Sequence, residues 1–499
     1  MRGDTQRSSE SALTPGPAPA RYTLNPDPFA LRNTDRSMPR NSRSRSSRRL
    51  WTALHRARRW WRRRRPRRPV VLIGGTCAVL VAALLTTLAL SCSGCLGRPA
   101  APPVADHPPS PPVHIGQEPQ LRIRIARGRG ELTVDGQRGG PVLVQPHPDR
   151  SAHSPLRFDG GADIQRRQGA FIIQPTGGGQ AFRWRLDALD VHSREDALGL
   201  DGAGFPGRLV LVATGEETFD VVNHVGIETY LPGVLASELY SHWHIEAYRA
   251  QAIAARSYAL VMAERRRRLH YDLENTQASQ VYAGATANAR ALEAARDTRG
   301  LVLSYDGLIV PAYYSSCTGP LGQDAALVFS NERDIPPLRG RDHRPWSDDS
   351  PHRLWGPVQR PVEGFSRRIA AWGRSVGHAV AAMDTLQQVE VVRRSHAGRA
   401  AAFRLTDRRG RSYELHAEQL RLAANHADAS LPSLSAAQRL RSGDVEVRVE
   451  GPFVRIRGRG FGHGVGMSQH GAQSMARQGQ GYQQILSQYY PQARIVRAY

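Results

Sequence analysis

The 499-residue chain is 40% hydrophobic and carries a formal net charge of +24. Its length exceeds that of a typical single domain, and its 47 Gly and 34 Pro residues favour a turn-rich β or α+β protein over a helical bundle. All 68 residues counted as Lys or Arg are Arg, which excludes catalysis by Schiff-base lysines, phosphate-loop lysines and Ser–Lys dyads.

The N-terminal tail holds most of the positive charge. Residues 1–68 contain 19 Arg against four Asp or Glu. Residues 1–50 are rich in Ser, Pro and Arg, and they have too few aliphatic side chains to bury a hydrophobic core. We therefore predict that residues 1–69 form a disordered, cytoplasmic tail.

Residues 70–91 are predicted to form a transmembrane helix. The stretch Val70–Leu90 is uncharged and apolar over about the 20 residues that a bilayer crossing needs. The preceding run Arg62–Arg68 keeps this end in the cytoplasm by the positive-inside tendency. A buried core helix and a cleaved signal peptide are the alternatives, but the preceding tail is far longer than the n-region of a signal peptide.

This topology predicts a single-pass protein of the cytoplasmic membrane whose C-terminal region lies on the periplasmic or cell-wall face. Attraction to anionic lipids accounts for the arginines of the tail, so we predict no nucleic-acid partner. Residues 92–118 are rich in Pro and are predicted to form an extended spacer. Cys92 and Cys95 give a weak lipidation signal, and Cys317 alone cannot form a disulfide within the folded region, although it could supply one ligand to a mixed metal site.

From residue 119 the sequence becomes a series of short alternating runs that predict β-strands. Gly-rich turns separate them, which favours hairpins in a barrel or a sandwich over βαβ units. Residues 245–263 are dense in helix-forming residues, and Glu246 and Arg265 complement the dipole of a long helix there. The predicted class is therefore α+β and β-rich. The predicted strands are Leu121–Ile125, Glu131–Val134, Ala170–Ile173, Phe182–Leu186 and Leu209–Val212.

Two segments carry a family resemblance. Residues 230–258, which read YLPGVLASELYSHWHIEAYRAQAIAARSY, closely resemble the signature of the SpoIID/LytB family. Residues 458–472, GRGFGHGVGMSQHGA, resemble its C-terminal signature, and shorter blocks at residues 272–284 and 312–319 lie between them. We therefore divide the outer region into a β-rich part, 119–217, and a SpoIID/LytB-like catalytic or glycan-binding domain, 218–499.

The resemblance implies lytic transglycosylation of peptidoglycan, with Glu238 as the catalytic residue. One carboxyl group can serve as acid and then as base, because the 6-hydroxyl of MurNAc can itself attack the anomeric carbon and give a 1,6-anhydro end. This role needs a raised pKa, which apolar neighbours can supply. The alternative implied by the family name is a non-catalytic peptidoglycan-binding protein that stimulates a cell-wall amidase. A purely structural envelope scaffold is a third hypothesis.

Further residues of these segments are candidates for binding the glycan strand. Glycines of the C-terminal signature let the backbone approach a ligand, and its polar residues supply contacts. Aromatic side chains could stack on sugars or pack in the core, and Arg256 could pair with Glu238, with Asp272 or with a substrate carboxylate. We assign no cofactor and no metal. Tyr314 and Pro320 depart from the family pattern, which argues against a metal site like that of relatives, and a lone histidine such as His463 is more often a hydrogen-bonded structural group than a metal ligand. The predicted binding residues are Ser237, Tyr240, Trp243, Arg256, Gln280, Tyr282, Ser315, His463, Met467, Ser468 and Gln469.

Overall fold

A computed structural model describes residues 110–148, 153–193, 197–277, 279–329, 332–347 and 350–499. The predicted tail, the predicted transmembrane helix and residues 92–109 of the predicted spacer lie outside these ranges. Within them, no helix is long and apolar enough to cross a membrane. The last residues of the predicted spacer contact the fold, since the backbone N–H of Val113 donates to Gly307 and that of Ile115 donates to Ala498.

The described residues contain eight α-helices and 24 strands. The helices are α1 Ile227–Glu238, α2 Ile245–Arg265, α3 Ala289–Asp297, α4 Arg344–Ser347, α5 Val362–Val376, α6 Ala417–Ala424, α7 Gln469–Arg477 and α8 Tyr482–Tyr489. The strands of the first half are β1 Gln120–Arg129, β2 Glu131–Gly136, β3 Val142–Pro146, β4 Leu156–Phe158, β5 Ala162–Arg167, β6 Ala170–Pro175, β7 Phe182–Trp184, β8 Ala188–His192, β9 Leu198–Leu200, β10 Ala203–Phe205, β11 Arg208–Ala213 and β12 Phe219–Gly226. The remaining strands are β13 Leu273–Glu274, β14 Leu301–Tyr305, β15 Leu308–Ile309, β16 Tyr314–Ser315, β17 Leu354–Pro361, β18 Leu386–Arg394, β19 Ala400–Asp407, β20 Ser412–His416, β21 Val445–Glu450, β22 Phe453–Arg459, β23 Met467–Ser468 and β24 Arg494–Arg497.

Two large sheets form the region before α1, and β13, which follows α2 in the chain, adds an edge strand to the first of them. Their strand orders are β13-β1-β12-β11-β8-β3-β4 and β10-β9-β2-β5-β6-β7. Alternate residues of β2 are buried, as expected for a strand with one face on the core, and both sheets contribute side chains to one hydrophobic cluster. The α+β, β-rich class is confirmed. The five predicted strands are present, although β7 ends at Trp184 rather than Leu186.

The first signature forms two helices with a break between them. We predicted the second, and it is observed as α2, whose alanines are buried between other elements of the core. The first, α1, contains Pro232 and Gly233, and a Cβ atom at Gly233 would lie 2.2 Å from the carbonyl oxygen of Gly284. Glycine is therefore needed for this close approach. His244 caps α2, because its Nδ1 accepts the N–H of Glu246 at 3.2 Å.

A second hydrophobic cluster lies within the region predicted as a single domain. Its buried side chains run from Trp355 to Ile456 and belong to two three-stranded sheets, β17-β22-β21 and β18-β19-β20, together with α5 and α6. The chain then returns to the first cluster, where β23 pairs in parallel with β16. Residues 355–456 therefore form an insertion between two strands that are neighbours in space.

Candidate active site

Glu238 is the last residue of α1, and its carboxyl group receives two hydrogen bonds from uncharged donors. The backbone N–H of Val281 donates to Oε1 at 3.2 Å, and Nε2 of Gln469 donates to Oε2 at 3.0 Å. The contact with Gln469 joins the two signatures, which lie 231 residues apart. Within the described part of the chain, no cationic side chain forms an ion pair with Glu238.

The surroundings of Glu238 favour its protonated form. Burial raises the pKa of this carboxyl group above its ordinary value, and the hydrogen bonds from Gln469 and Val281 offset only part of that effect. The carboxyl group lies at the C-terminal end of a helix, where the helix dipole also disfavours a negative charge. The residue as a whole is partly exposed to solvent. A carboxyl group with a raised pKa in a partly exposed residue meets a requirement of a general acid.

A network of neutral polar groups lies beneath Glu238. Tyr230 Oη donates to Oε1 of the buried Gln280 at 3.0 Å. Nε2 of Gln280 in turn donates to the hydroxyl of Tyr314 at 3.1 Å. Burial raises the pKa of Tyr230 and of Tyr314 well above the ordinary tyrosine value, and the nearby charge of Glu238 raises both further. These hydroxyls therefore stay protonated, and they provide polarity near Glu238 without adding charge.

The Gly-rich loop of the second signature directs Gln469 toward Glu238. Gly466 has a φ of +66°, and a Cβ atom there would lie 2.0 Å from the carbonyl oxygen of Tyr313. This close approach allows β23 to pair with β16, with Met467 opposite Tyr314. Ser468 then caps α7 by accepting the N–H of Gly471 at 3.1 Å. Gln469 is consequently fixed in the first turn of that helix.

Several predicted binding residues instead have structural contacts. Met467 is fully buried, and Ser237 Oγ donates to the carbonyl oxygen of Gly233, within its own helix. Tyr282 is fully buried against Tyr230 and Phe205, so it packs in the core and does not face a sugar.

Arg256 also has a structural position. Its side chain is fully buried and pairs with Glu228 at 2.8 Å, not with Glu238 or with a ligand. Asp272 pairs instead with Arg122. The expected partners of Arg256 were therefore wrong, because a charge so deeply buried needs a partner in the same core.

Tyr240 and Trp243 differ in exposure. Tyr240 is 38% exposed and its ring lies 5.3 Å from that of Trp243, which is only 5% exposed. Tyr240 is thus the aromatic candidate that a sugar ring could contact, and the buried Trp243 packs against it.

His463 belongs to the Gly-rich loop and Ser315 to strand β16. Nδ1 of His463 accepts the N–H of Val465 at 3.0 Å, and its ring packs against the edge of Phe329. Burial lowers the pKa of His463 to about 4, so the imidazole is neutral at pH 7. Ser315 is buried, and its Oγ has no hydrogen-bond partner among the described residues. The described ranges contain no group of three or more His, Cys, Asp or Glu that could hold a metal ion.

The inserted segment supports the loops behind the site. Arg399 is fully buried, and its Nη1 donates to the carbonyl oxygens of Thr318 and Leu321. A Cβ atom at Gly464 would lie 2.2 Å from the same nitrogen, so the Gly-rich loop passes directly over this guanidinium group. The free thiol of Cys317 is buried in the adjoining loop and accepts the N–H of Gly319 at 3.3 Å. The insertion therefore contacts both the segment that follows β16 and the Gly-rich loop that leads to Gln469.

Sequence reasoning missed part of this site. Tyr230 is the first residue of the first signature but was not proposed for a role, and Tyr314 was considered only as a departure from the family pattern. The N–H of Val281 has no signal in the sequence, because a backbone donor depends on conformation and not on residue type.

Two family models match parts of the chain. The family described as "Stage II sporulation protein" (SpoIID) matches residues 215–305, and a "Domain of unknown function (DUF8618)" matches residues 355–466, which largely coincides with the insertion. An uncharacterised protein of Brachyspira hyodysenteriae is 28% identical over 61% of this chain and 76% of its own length.

Two Bacillus proteins are also similar to the chain. The stage II sporulation protein D of Bacillus amyloliquefaciens is 28% identical over 54% of this chain and 74% of its own length. The amidase enhancer of Bacillus subtilis is 26% identical over 52% of this chain, and the match covers only 39% of that protein. These relatives support a function related to the cell wall. The family match over residues 215–305 and these relatives support the resemblance of the chain to the SpoIID/LytB family.

Proposed function

We propose that the chain cleaves peptidoglycan glycan strands by lytic transglycosylation, with Glu238 as general acid and then general base. The observation that carries this proposal is the environment of Glu238. The residue is partly exposed, burial raises the pKa of its carboxyl group, and its hydrogen bonds come from the uncharged Gln469 and Val281. A buried carboxyl group with a purely structural role is normally paired with a cation.

The reaction proceeds in two proton transfers at one carboxyl group. Protonated Glu238 first gives its proton to the oxygen that links C1 of MurNAc to GlcNAc, and the C1–O bond breaks. The 6-hydroxyl oxygen of the same MurNAc then bonds to C1, and its proton passes to the Glu238 carboxylate. The products are a 1,6-anhydroMurNAc end and a free 4-hydroxyl on GlcNAc, and the enzyme regains its starting proton.

Gln469 and Val281 have complementary roles in this cycle. Their N–H groups orient the carboxyl group in the first step and stabilise the carboxylate that forms between the steps. Tyr240, 38% exposed and two residues from Glu238, offers an aromatic face on which a sugar ring can stack. By the predicted topology, this reaction takes place on the outer face of the cytoplasmic membrane.

The decisive test compares the digestion products of purified murein by mass spectrometry. The wild-type chain is expected to release 1,6-anhydro muropeptides, and Glu238→Gln is expected to reduce their rate by about 10²–10⁴-fold, the usual contribution of general acid–base catalysis. Glu363→Gln is the matched control, because Glu363 is exposed and lies in the insertion. Anhydro products formed at the wild-type rate by Glu238→Gln would refute the proposal.

A second candidate function is stimulation of a cell-wall amidase without cleavage of the glycan. The similarity to the amidase enhancer of Bacillus subtilis favours it. In that case, sacculi bind the chain but release no anhydro product, and addition of an N-acetylmuramoyl-L-alanine amidase yields free peptides faster than the amidase alone.

A further inference from the structure

The turn between β18 and β19 of the insertion lies against residues 316–324, the segment that follows β16. Ser395 Oγ donates to the carbonyl oxygen of Gly322 at 3.1 Å. Oδ2 of the buried Asp324 accepts the backbone N–H of His396 at 3.0 Å and lies 2.7 Å from Nδ1 of the same residue. These contacts fix the turn on a segment that does not belong to the insertion.

Arg399, the last residue of this turn, differs from another buried arginine of the insertion in the location of its acceptors. Its Nη1 donates to the carbonyl oxygens of Thr318 and Leu321, both in the segment after β16. Arg360 is also buried, but it donates to the carbonyl oxygen of Ala424, which belongs to the insertion itself. Arg360 thus stabilises the insertion, whereas Arg399 joins the insertion to that segment.

The same segment holds the residues on both sides of Gln469. The backbone N–H of Thr318 donates to Oγ of Ser468 at 3.4 Å. The backbone N–H of His470 donates to the carbonyl oxygen of Ser316 at 3.1 Å. The position of Gln469, whose amide donates to the proposed catalytic carboxyl group, therefore depends on the segment to which the insertion is bound.

We propose that Arg399 is a positioning residue for the reaction at Glu238, because it fixes the segment that holds Gln469. The inference rests on the function proposed for Glu238. Without the guanidinium group, the amide of Gln469 can move away from Oε2 of Glu238, and the carboxylate that forms between the two proton transfers loses a donor. Since the hydrogen bond from Gln469 lowers the pKa of Glu238, its loss also raises that pKa.

The test measures the rate of anhydro product release by full-length variants, per folded molecule. Arg399→Met is expected to lower kcat by about 10- to 100-fold and to leave KM within about twofold, because a small displacement of a catalytic group can cost about 10²-fold. The alkaline limb of its pH–rate profile is expected to move to higher pH, as Glu238 keeps its proton longer. The matched control Arg360→Met removes a buried guanidinium group from the same insertion and is expected to leave kcat and the alkaline limb unchanged.

A milder variant covers the case in which Arg399→Met does not fold. His396→Ala removes a half-exposed ring but keeps the backbone N–H that donates to Asp324. It is expected to lower kcat by about two- to fivefold, as expected for one hydrogen bond, and to move the alkaline limb in the same direction. Equal effects of Arg399→Met and Arg360→Met, or a lower kcat with an unchanged alkaline limb, would overturn the inference.

A titration without substrate separates this inference from the proposed function. The ¹³C resonance of Glu238 Cδ is expected to titrate at a higher pH in Arg399→Met than in the wild type. It should show no further rise when Arg399→Met is added to Gln469→Ala, because Arg399 acts through Gln469. Additive rises would overturn the inference. A raised midpoint in a chain that releases no anhydro product would support the positioning of Gln469 by Arg399 and refute only the proposed function.

Discussion

The two ends of helix α1 carry glutamates with opposite properties. Glu228, in the first turn, accepts hydrogen bonds from both Nε and Nη2 of Arg256 and from the N–H of Gly300. Its pKa is lowered, because these donors together outweigh the effect of burial. Glu238, at the other end, meets only neutral donors, and burial raises its pKa. Burial alone therefore does not make a glutamate an acid catalyst; the charge of its partner decides.

The helix dipole reinforces the difference between the pKa values of the two glutamates. A negative charge is favoured near the N-terminus, where Glu228 lies, and disfavoured near the C-terminus, where Glu238 lies. The N-terminal end of α1 thus stabilises an ion pair, and the C-terminal end favours a protonated carboxyl group. The difference identifies which glutamate of α1 is a candidate for chemistry.

Removing the charge of Glu228 is expected to affect stability most. Glu228→Gln leaves Arg256 buried without a counter-ion, and loss of one partner of a buried pair typically costs about 3–5 kcal/mol in the free energy of unfolding. Chemical denaturation measures this cost. The control Glu264→Gln breaks an exposed pair with Arg267 and should cost at most about 1 kcal/mol. If the two variants are equally stable, the Glu228 end is not the rigid ion pair described above.

Replacing Glu238 is expected to have the opposite effect on stability. Glu238→Gln removes a carboxyl group whose ionisation is disfavoured by burial, so we expect the free energy of unfolding to rise by roughly 0.5–2 kcal/mol, the range of a typical stabilising substitution. Because the pKa is raised in the folded state, Glu238 costs no stability at acidic pH, and its cost appears as pH rises through the folded pKa. The gain should therefore be present at neutral pH and vanish at acidic pH. Denaturation curves at both pH values test this, and a gain independent of pH would contradict it.

A cation placed beside Glu238 should make it resemble Glu228. Gln469→Arg is expected to lower the pKa of Glu238, so the alkaline limb of the pH–rate profile moves to lower pH and activity at neutral pH falls. Gln478→Arg adds the same charge at an exposed position near the end of α7 and serves as the control. An unchanged alkaline limb in Gln469→Arg would mean that another group controls it.

The smallest expected effect is that of replacing Tyr240, the exposed aromatic residue two positions after Glu238. Tyr240→Ala removes an aromatic face and should raise KM by about two- to tenfold with little change in kcat, as expected for 0.5–1.5 kcal/mol of ring contact. Tyr240→Phe should retain the wild-type KM. A fall in kcat without a change in KM would assign Tyr240 to orientation of the carboxyl group instead.

The sequence predicted the parts of this site that depend on residue type. Alternation in the strands and the helix-forming run of α2 gave the class of fold, and the signatures pointed to Glu238 and Gln469. It did not predict what depends on long-range packing. Glu228 was not considered as the partner of Arg256, because nothing local distinguishes a buried arginine from one that faces a ligand.

The break between α1 and α2 and the insertion had no clear local signal. Residues 239–244 contain neither Gly nor Pro, whereas Pro232 lies inside a helix. The insertion was not separated from the family domain, because alternating strands indicate a sheet but not the sheet to which they belong.

A direct titration of the two carboxyl groups is the sharpest test of this account. NMR of the chain labelled with ¹³C at the glutamate side chains, assigned with Glu238→Gln and Glu228→Gln, would follow both Cδ resonances with pH. We predict that Glu238 titrates above the ordinary glutamate value of about 4.3 and that Glu228 titrates below it. A midpoint for Glu238 at or below that value would contradict its role as a proton donor.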